Sequence, residues 1–392
     1  MGISGIAELP LHYGKAPRWL FQRMVKLASE MLEIMYNEFG ELKIMERLSN
    51  PIWFQAFSNV LGFDWHSSGS TTVTCGVLRE ALNKVEINLA LAGGKGRKSL
   101  ETINDIKSIS SKFGLNEEDA AKLEENSRLT AKVDNVALQD GFTIYHHAML
   151  ISREGKWCVI QQGMNINLKY ARRYHWFSED IRDMVEEPHK AISCQIKMER
   201  VLNLVDRESA EARKTIVDIA NEGPTKIRRY LAEANRILCR SEGIDKWINK
   251  SITTNRRISS EDYIIYKPID EKRIDWRKLE EIYSVKVEDF KNLLLYPGIG
   301  PKTIRALSLI SELIYNEPPS KRDPVTHIYD PVKWSYAVGG KDGIPYPISK
   351  KHYDEVIFEL RNIVEAIRRD EEEKKMAFRN LKRISEKWSV EI

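Results

Sequence analysis

The chain has 392 residues and a mass of 45.4 kDa, with 61 basic residues against 57 acidic ones and a formal charge of +4. That length allows two or three domains, and the near balance of charge excludes a chain that is basic throughout, so any nucleic-acid surface has to be local. Four cysteines, Cys75, Cys158, Cys194 and Cys239, lie far apart with no CxxC pair, which points to reduced thiols and away from a disulfide frame or zinc site. With neither a basic leader nor an apolar run of bilayer length, a soluble cytoplasmic protein is expected.

The apolar spacing of Leu20, Met24, Leu27, Met31 and Ile34 predicts a helix from Trp19 to Phe39. Asn50-Pro51 reads as the capped start of another. The next loop, Gly62 to Thr72, packs Asp64, His66 and the hydroxyls of Ser67, Ser68, Ser70, Thr71 and Thr72 ahead of a helix around Val77 to Leu82. Hydroxyls and glycines in that position can hold a phosphate, although plain capping remains an equal alternative. Gly93-Gly94-Lys95-Gly96-Arg97-Lys98-Ser99 lacks the spacing of a nucleotide-binding P-loop, and reads either as a phosphate-touching loop or as a solvated linker.

Residues 101–126 read as short charged helices, Arg128–Asp134 as a strand, and Phe142–Ser152 with Trp157–Gly163 as a β-hairpin. Alternation sends His146 and His147 to opposite faces of that hairpin. Asp134, Asp140 and His146 supply oxygen and nitrogen ligands of the kind that bind Mg2+ or Mn2+, with His66 or His147 as a further imidazole for general base work. Taken singly, each has the bland reading of a strand-end acid or a core histidine. Tyr170-Ala171-Arg172-Arg173-Tyr174-His175-Trp176 sets paired arginines among aromatics, as a surface for phosphates and stacked bases would.

From Met198 onward the pattern is helical. Phe290–Leu295 runs into Pro297-Gly298-Ile299-Gly300, and a second helix opens at Pro301 with Lys302 and Thr303 in its first turn. This looks like a helix-hairpin-helix motif, a grip on DNA backbone without sequence reading. Gly298 and Gly300 would let the hairpin amides approach a phosphate, and Lys302 adds charge. Gly223-Pro224-Thr225-Lys226-Ile227-Arg228 echoes Gly300-Pro301-Lys302-Thr303-Ile304-Arg305, either as a degenerate copy or by chance. A long helix is expected from Lys351 to about Trp388, covering the helical part or pairing two copies in a homodimer.

The segments Leu48–Gln55, Phe63–Gly69, Ala131–Asn135, Gln139–Gly141, Gln161–Asn165 and Ala171–Trp176 together are distinctive. On them the chain resembles, over nearly its whole length, the archaeal and bacterial family catalogued as domain of unknown function 763. More distantly, strand Trp157–Gly163 followed by Arg172-Arg173 is similar to the end of a ParB/sulfiredoxin-type domain, where arginines after a glycine handle phosphates; no cysteine stands beside Gly163. Such a resemblance implies an α+β chain divided as 1–198 (mixed α/β, catalytic), 199–275 (helical connector), 276–330 (helix-hairpin-helix) and 331–392 (loop and long helix).

The function expected is a metal-dependent DNA nuclease acting on single-stranded or distorted DNA. Asp134, Asp140, His66, His146 and His147 would be catalytic, Arg172, Arg173, Ser67 and Ser68 would bind phosphate, and Gly298, Gly300, Lys302 and Thr303 would hold DNA. A non-catalytic DNA-binding protein is the alternative. A DNA glycosylase, suggested by Asp323-Pro324-Val325-Thr326-His327 after the hairpin, is the third.

Overall fold

A computed structural model describes residues 16–62, 68–248 and 267–327, together with Asp354, Ile357, Phe358, Lys375 and Arg379. His66, Ser67 and nearly all of the expected C-terminal helix fall outside the described residues.

Helix α1 (Arg18–Ser49) is interrupted at Gly40, whose φ of +76° an L side chain tolerates poorly. α2 (Pro51–Val60) starts as expected, the Asn50 side chain accepting from the amides of Ile52 and Trp53. α3 (Ser68–Leu82) follows and leads into strand β1 (Leu89–Lys95). Two short helices come next, α4 (Arg97–Leu100) and α5 (Thr102–Phe113), and then α6 (Glu117–Lys132), capped by Asn116. Here the reading of Arg128–Asp134 as a strand fails. α6 runs through Lys132 and widens into a π turn over Val133–Ala137, because Leu123, Leu129, Val133 and Val136 bury one helical stripe.

The sheet is antiparallel, in the order β1-β3-β4-β5-β6. Its strands after β1 are β3 (Thr143–Ser152), β4 (Trp157–Asn165), β5 (Tyr170–Phe177) and β6 (Ala191–Cys194). A two-stranded ladder joins β2 (Leu138–Gln139) to β7 (Leu202–Asn203). β5 occupies the sequence read as an exposed aromatic and arginine surface, and every residue from Ala171 to Phe177 is buried. Both sheet faces are covered, so polar and apolar residues alike are buried along these strands, without the alternation of burial that marks a half-exposed strand.

One face, carrying Leu89, Leu91, Ala148, Leu150, Cys158, Ile160 and Phe177, packs under α1, α2 and α3. The other carries Met149, Ile151, Val159, Tyr174 and Trp176 into a core shared with α5, α6 and five further helices. These are α7 (Ala210–Ala220), α8 (Pro224–Ile248), α9 (Trp276–Val285), α10 (Phe290–Leu295) and α11 (Pro301–Tyr315). Trp176 of the sheet and Leu293 and Ile304 of the hairpin belong to one apolar cluster, so no gap between cores falls at residue 198 or 275. After α11 the chain returns to the sheet: Ser320 bridges Asn203, and His327 bridges Ser193. Among the described residues no helix is long and apolar enough to cross a membrane.

Candidate functional site

Polar side chains gather in three places. The first lies on the sheet face toward α6, around Asp134 in the π turn. Its Oδ2 accepts from Trp176 Nε1 at 2.9 Å and from Gln161 Nε2, and its Oδ1 pairs with His189 Nε2. Gln161 Oε1 lies 3.0 Å from His147 Nδ1, and His147 Nε2 lies 2.9 Å from Ser127 Oγ. The chain of groups is thus Ser127, His147, Gln161, Asp134, His189. All but His189 are buried, and burial lowers the His147 pKa. Sequence reasoning passes over His189, whose only signal is an imidazole in the connection between β5 and β6.

On the same face, Asp140 and Asp323 share one guanidinium. Arg172 Nη1 donates to Asp140 Oδ2 (2.8 Å) and Asp323 Oδ1 (3.0 Å), and Nη2 donates to Asp323 Oδ2 (2.7 Å). Tyr174 Oη adds a bond to Asp140 of 2.6 Å, and the Phe142 and Met198 amides donate to Asp140 and Asp323. Burial pushes the Asp140 carboxyl up while Arg172 and Tyr174 pull it down; burial would also lower Arg172, but the neighbouring Asp140, Tyr174 and Asp323 outweigh it and hold Arg172 high. This is a structural clamp, two acids around an arginine that is 0% exposed, and it corrects the assignment of Arg172 to a phosphate. Asp323 is equally committed, and Thr326 donates to the Ile192 carbonyl, which removes the glycosylase-like aspartate from any open site.

The second group lies on the opposite sheet face, under α2 and α3. Arg173 Nε donates to Thr71 Oγ1 at 2.9 Å and Nη2 to Gln55 Oε1 at 3.0 Å. Thr71 also donates to Gln162, which in turn donates to Tyr145 Oη. The ladders pair Lys95 with His146, His146 with Gln162, and Gln162 with Arg173, so this row shares one face. His146 is buried, and neither ring nitrogen has a hydrogen-bond partner among the described residues. Arg173 thus sits near α3, as its expected role with Ser68 requires, but at 1% exposure it presents no stacking surface. Ser68 opens α3 itself.

Asp134, Asp140 and His146 therefore do not fit a shared Mg2+ or Mn2+. His146 projects from the opposite face to His147, and each carboxylate is already filled by buried donors. Among the described residues, no three His, Cys, Asp or Glu side chains gather as a cation site. The alternation that separated His146 from His147 is what breaks the triad.

The third place is the turn between α10 and α11. Gly298 is exposed with φ +87°, and a Cβ there would meet the Lys278 Cγ at 2.7 Å. Gly300 is extended at φ −128°, so the positive φ expected of it is not used; it is the N-cap of α11 and offers no side chain to cap the helix. Pro301 occupies the first helical position and Lys302 is exposed, but Thr303 is buried at 4% exposure. Ile299 plugs into the core, Lys132 donates to its carbonyl, and Gln139 donates to that of Pro301 at 2.8 Å.

These features define an α+β protein: an antiparallel sheet between two helical layers, with a glycine-turned helical hairpin fused to its core. The chain belongs to the family described as protein of unknown function, DUF763, whose model matches residues 5–348. No curated protein matches the chain, and neither does any solved structure.

Proposed function

We propose that the protein binds DNA through its backbone at the α10–α11 turn, a helix-hairpin-helix grip without sequence reading. The observation that carries this is the turn itself. Its exposed Gly298 at φ +87° leads to a helix that begins with proline, lacks a side-chain cap and presents Lys302. Uncapped first-turn amides face an anion along the helix dipole, and a lysine beside them adds the charge that a phosphate needs.

The α7–α8 turn supports the same reading. Gly223 there has φ +96°, Pro224 opens α8, and Lys226, Arg228 and Arg229 are exposed. α9 separates the two turns: its Tyr283 ring packs where a Gly223 Cβ would be, and its Lys278 stem where a Gly298 Cβ would be. Five residues of helix rise about 7.5 Å, which keeps the two turns close enough to meet one stretch of backbone. The two differ in detail, since the positive φ falls directly before proline in one and three residues before it in the other.

Nuclease action on single-stranded or distorted DNA is the second reading. It is favoured by the half-buried His189, oriented by the buried Asp134, because a carboxylate-held imidazole suits a general base. The ParB/sulfiredoxin likeness belongs with it. Gly163 and Arg172 are paired residues on β4 and β5, and any phosphate handling falls to the Arg173 face.

The test measures binding of labelled single-stranded, duplex and bubble DNA by wild type, Gly298→Ala and Lys302→Gln. Binding that weakens with salt and drops at least tenfold in Gly298→Ala supports the reading; equal binding by all three proteins refutes it. Incubating the same DNAs with Mg2+, Mn2+ or chelator decides the second reading, which fails if every strand stays intact.

A further inference from the structure

We propose that the row Lys95, His146 and Gln162, beneath the first turn of α3, binds a phosphoryl group. This site is separate from the hairpin and does not depend on it. Three observations converge there.

The first is His146. It is 0% exposed and both of its ring nitrogens lack partners among the described residues, while its ladder neighbour Gln162 reaches Thr71 in the first turn of the 15-residue α3. Leaving a buried polar group unsatisfied is costly, and a ligand accepting the imidazole N–H would remove that penalty.

The second is the sign of the local charge. Burial first, and then His147, Arg173 and Lys95, together lower the His146 pKa to about 3. The charged groups that act on the ring are thus cationic or potentially so, which disfavours a metal ion and favours an oxyanion. Arg173 contributes its field here, its Nε and Nη2 being engaged by Thr71 and Gln55. A neutral imidazole still has one N–H to donate.

The third is the rim. β1 ends at Gly93-Gly94-Lys95-Gly96, where the three glycines have φ of +81°, +145° and +60°. The Gly96 amide donates to the Tyr145 carbonyl at 3.0 Å, which fastens the glycine turn to the residue before His146. The β3–β4 register shifts between Ile144 and His146, so the ladder skips Tyr145, and the Tyr145 hydroxyl turns to Gln162. Lys95 and Gly96 are exposed, Gly94 is half-buried and His146 is buried, so the row runs from solvent inward along one sheet face. A glycine-rich basic rim beside a neutral histidine suits a phosphoryl group.

The experiment follows the ring nitrogens of 15N-histidine-labelled full-length protein during titration with inorganic phosphate, a nucleoside monophosphate and a 5′-phosphorylated oligonucleotide. His146→Gln assigns the signal. Equilibrium dialysis of labelled phosphate against wild type, Lys95→Gln and Gly298→Ala gives affinities. The expected result is a saturable shift of the His146 signal that is retained in Gly298→Ala, and about tenfold weaker phosphate binding in Lys95→Gln. A monophosphate or oligonucleotide that binds more tightly than phosphate identifies the source of the phosphoryl group. An unmoved His146 signal, or equal affinity in Lys95→Gln, overturns the proposal. Loss of phosphate binding in Gly298→Ala alone also overturns it, while leaving the hairpin reading intact.

Discussion

Asp323→Ala should be among the most destabilising single changes in the chain. Asp323 is 2% exposed, holds Arg172 through two bonds of 3.0 and 2.7 Å, and accepts from the Met198 amide at 2.6 Å and the Val325 amide at 3.2 Å. Breaking a buried ion pair from one side costs about 3–5 kcal/mol, because the remaining charge keeps its burial and loses its compensation. Asp140 still faces Arg172 Nη1 at 2.8 Å, which places the pair at the lower end of that range. The orphaned amides add about 1–3 kcal/mol, so a loss of about 4 kcal/mol is expected. Urea unfolding would report it as a lower midpoint at unchanged slope. Asp323→Asn, which keeps an acceptor and loses the charge, should fall between alanine and wild type. A loss below about 1 kcal/mol for Asp323→Ala would refute the view that this carboxylate pins the returning segment to the sheet.

Further consequences can be checked in the same way. His146 is held at about 3 in the fold, so as pH falls below the ordinary value of 6.5 the unfolded chain takes up a proton that the native ring, buried and under the field of His147, Arg173 and Lys95, refuses. Stability due to this group is therefore constant above about pH 6.5 and falls by about 1.4 kcal/mol per pH unit down to about pH 3; denaturant midpoints of His146→Gln should show a correspondingly flatter acid limb. Gly163→Ala should cost about 1–3 kcal/mol in thermal or urea unfolding, since its Cβ would lie 2.9 Å from the Phe142 Cβ and 3.1 Å from its carbonyl oxygen. Trp176→Phe removes an indole donor from buried Asp134 and should cost about 1–3 kcal/mol beyond the small volume change, whereas an exposed lysine such as Lys302 should be replaceable with no loss of stability.

Local signals were the ones that could be read from the sequence. The Asn50 cap, the β3–β4 hairpin, the opposite faces of His146 and His147, and the Gly298 turn each depend on a few adjacent residues. The structure has all of them. Arg128–Asp134 misled because β-branched and apolar residues there serve a helical stripe that only tertiary packing reveals. Arg172 misled for another reason. Paired arginines among aromatics look like a binding surface until a carboxylate 151 residues away in sequence, Asp323, fills one of them. The same long separation hid the grouping of Gln55, Thr71, Gln162 and Arg173, since three segments of chain have to meet before it exists.

The central claim, that the α10–α11 turn grips DNA backbone, is met most directly by the salt dependence of binding for wild type and Lys302→Gln. Removing one lysine–phosphate interaction should lower the slope of log K against log salt by about 0.7–0.9, depending on whether the DNA is single- or double-stranded. A slope shallower by that amount is expected for Lys302→Gln, and affinity at least tenfold weaker for Gly298→Ala, with both proteins folded. Slopes and affinities indistinguishable from wild type in both variants would contradict it.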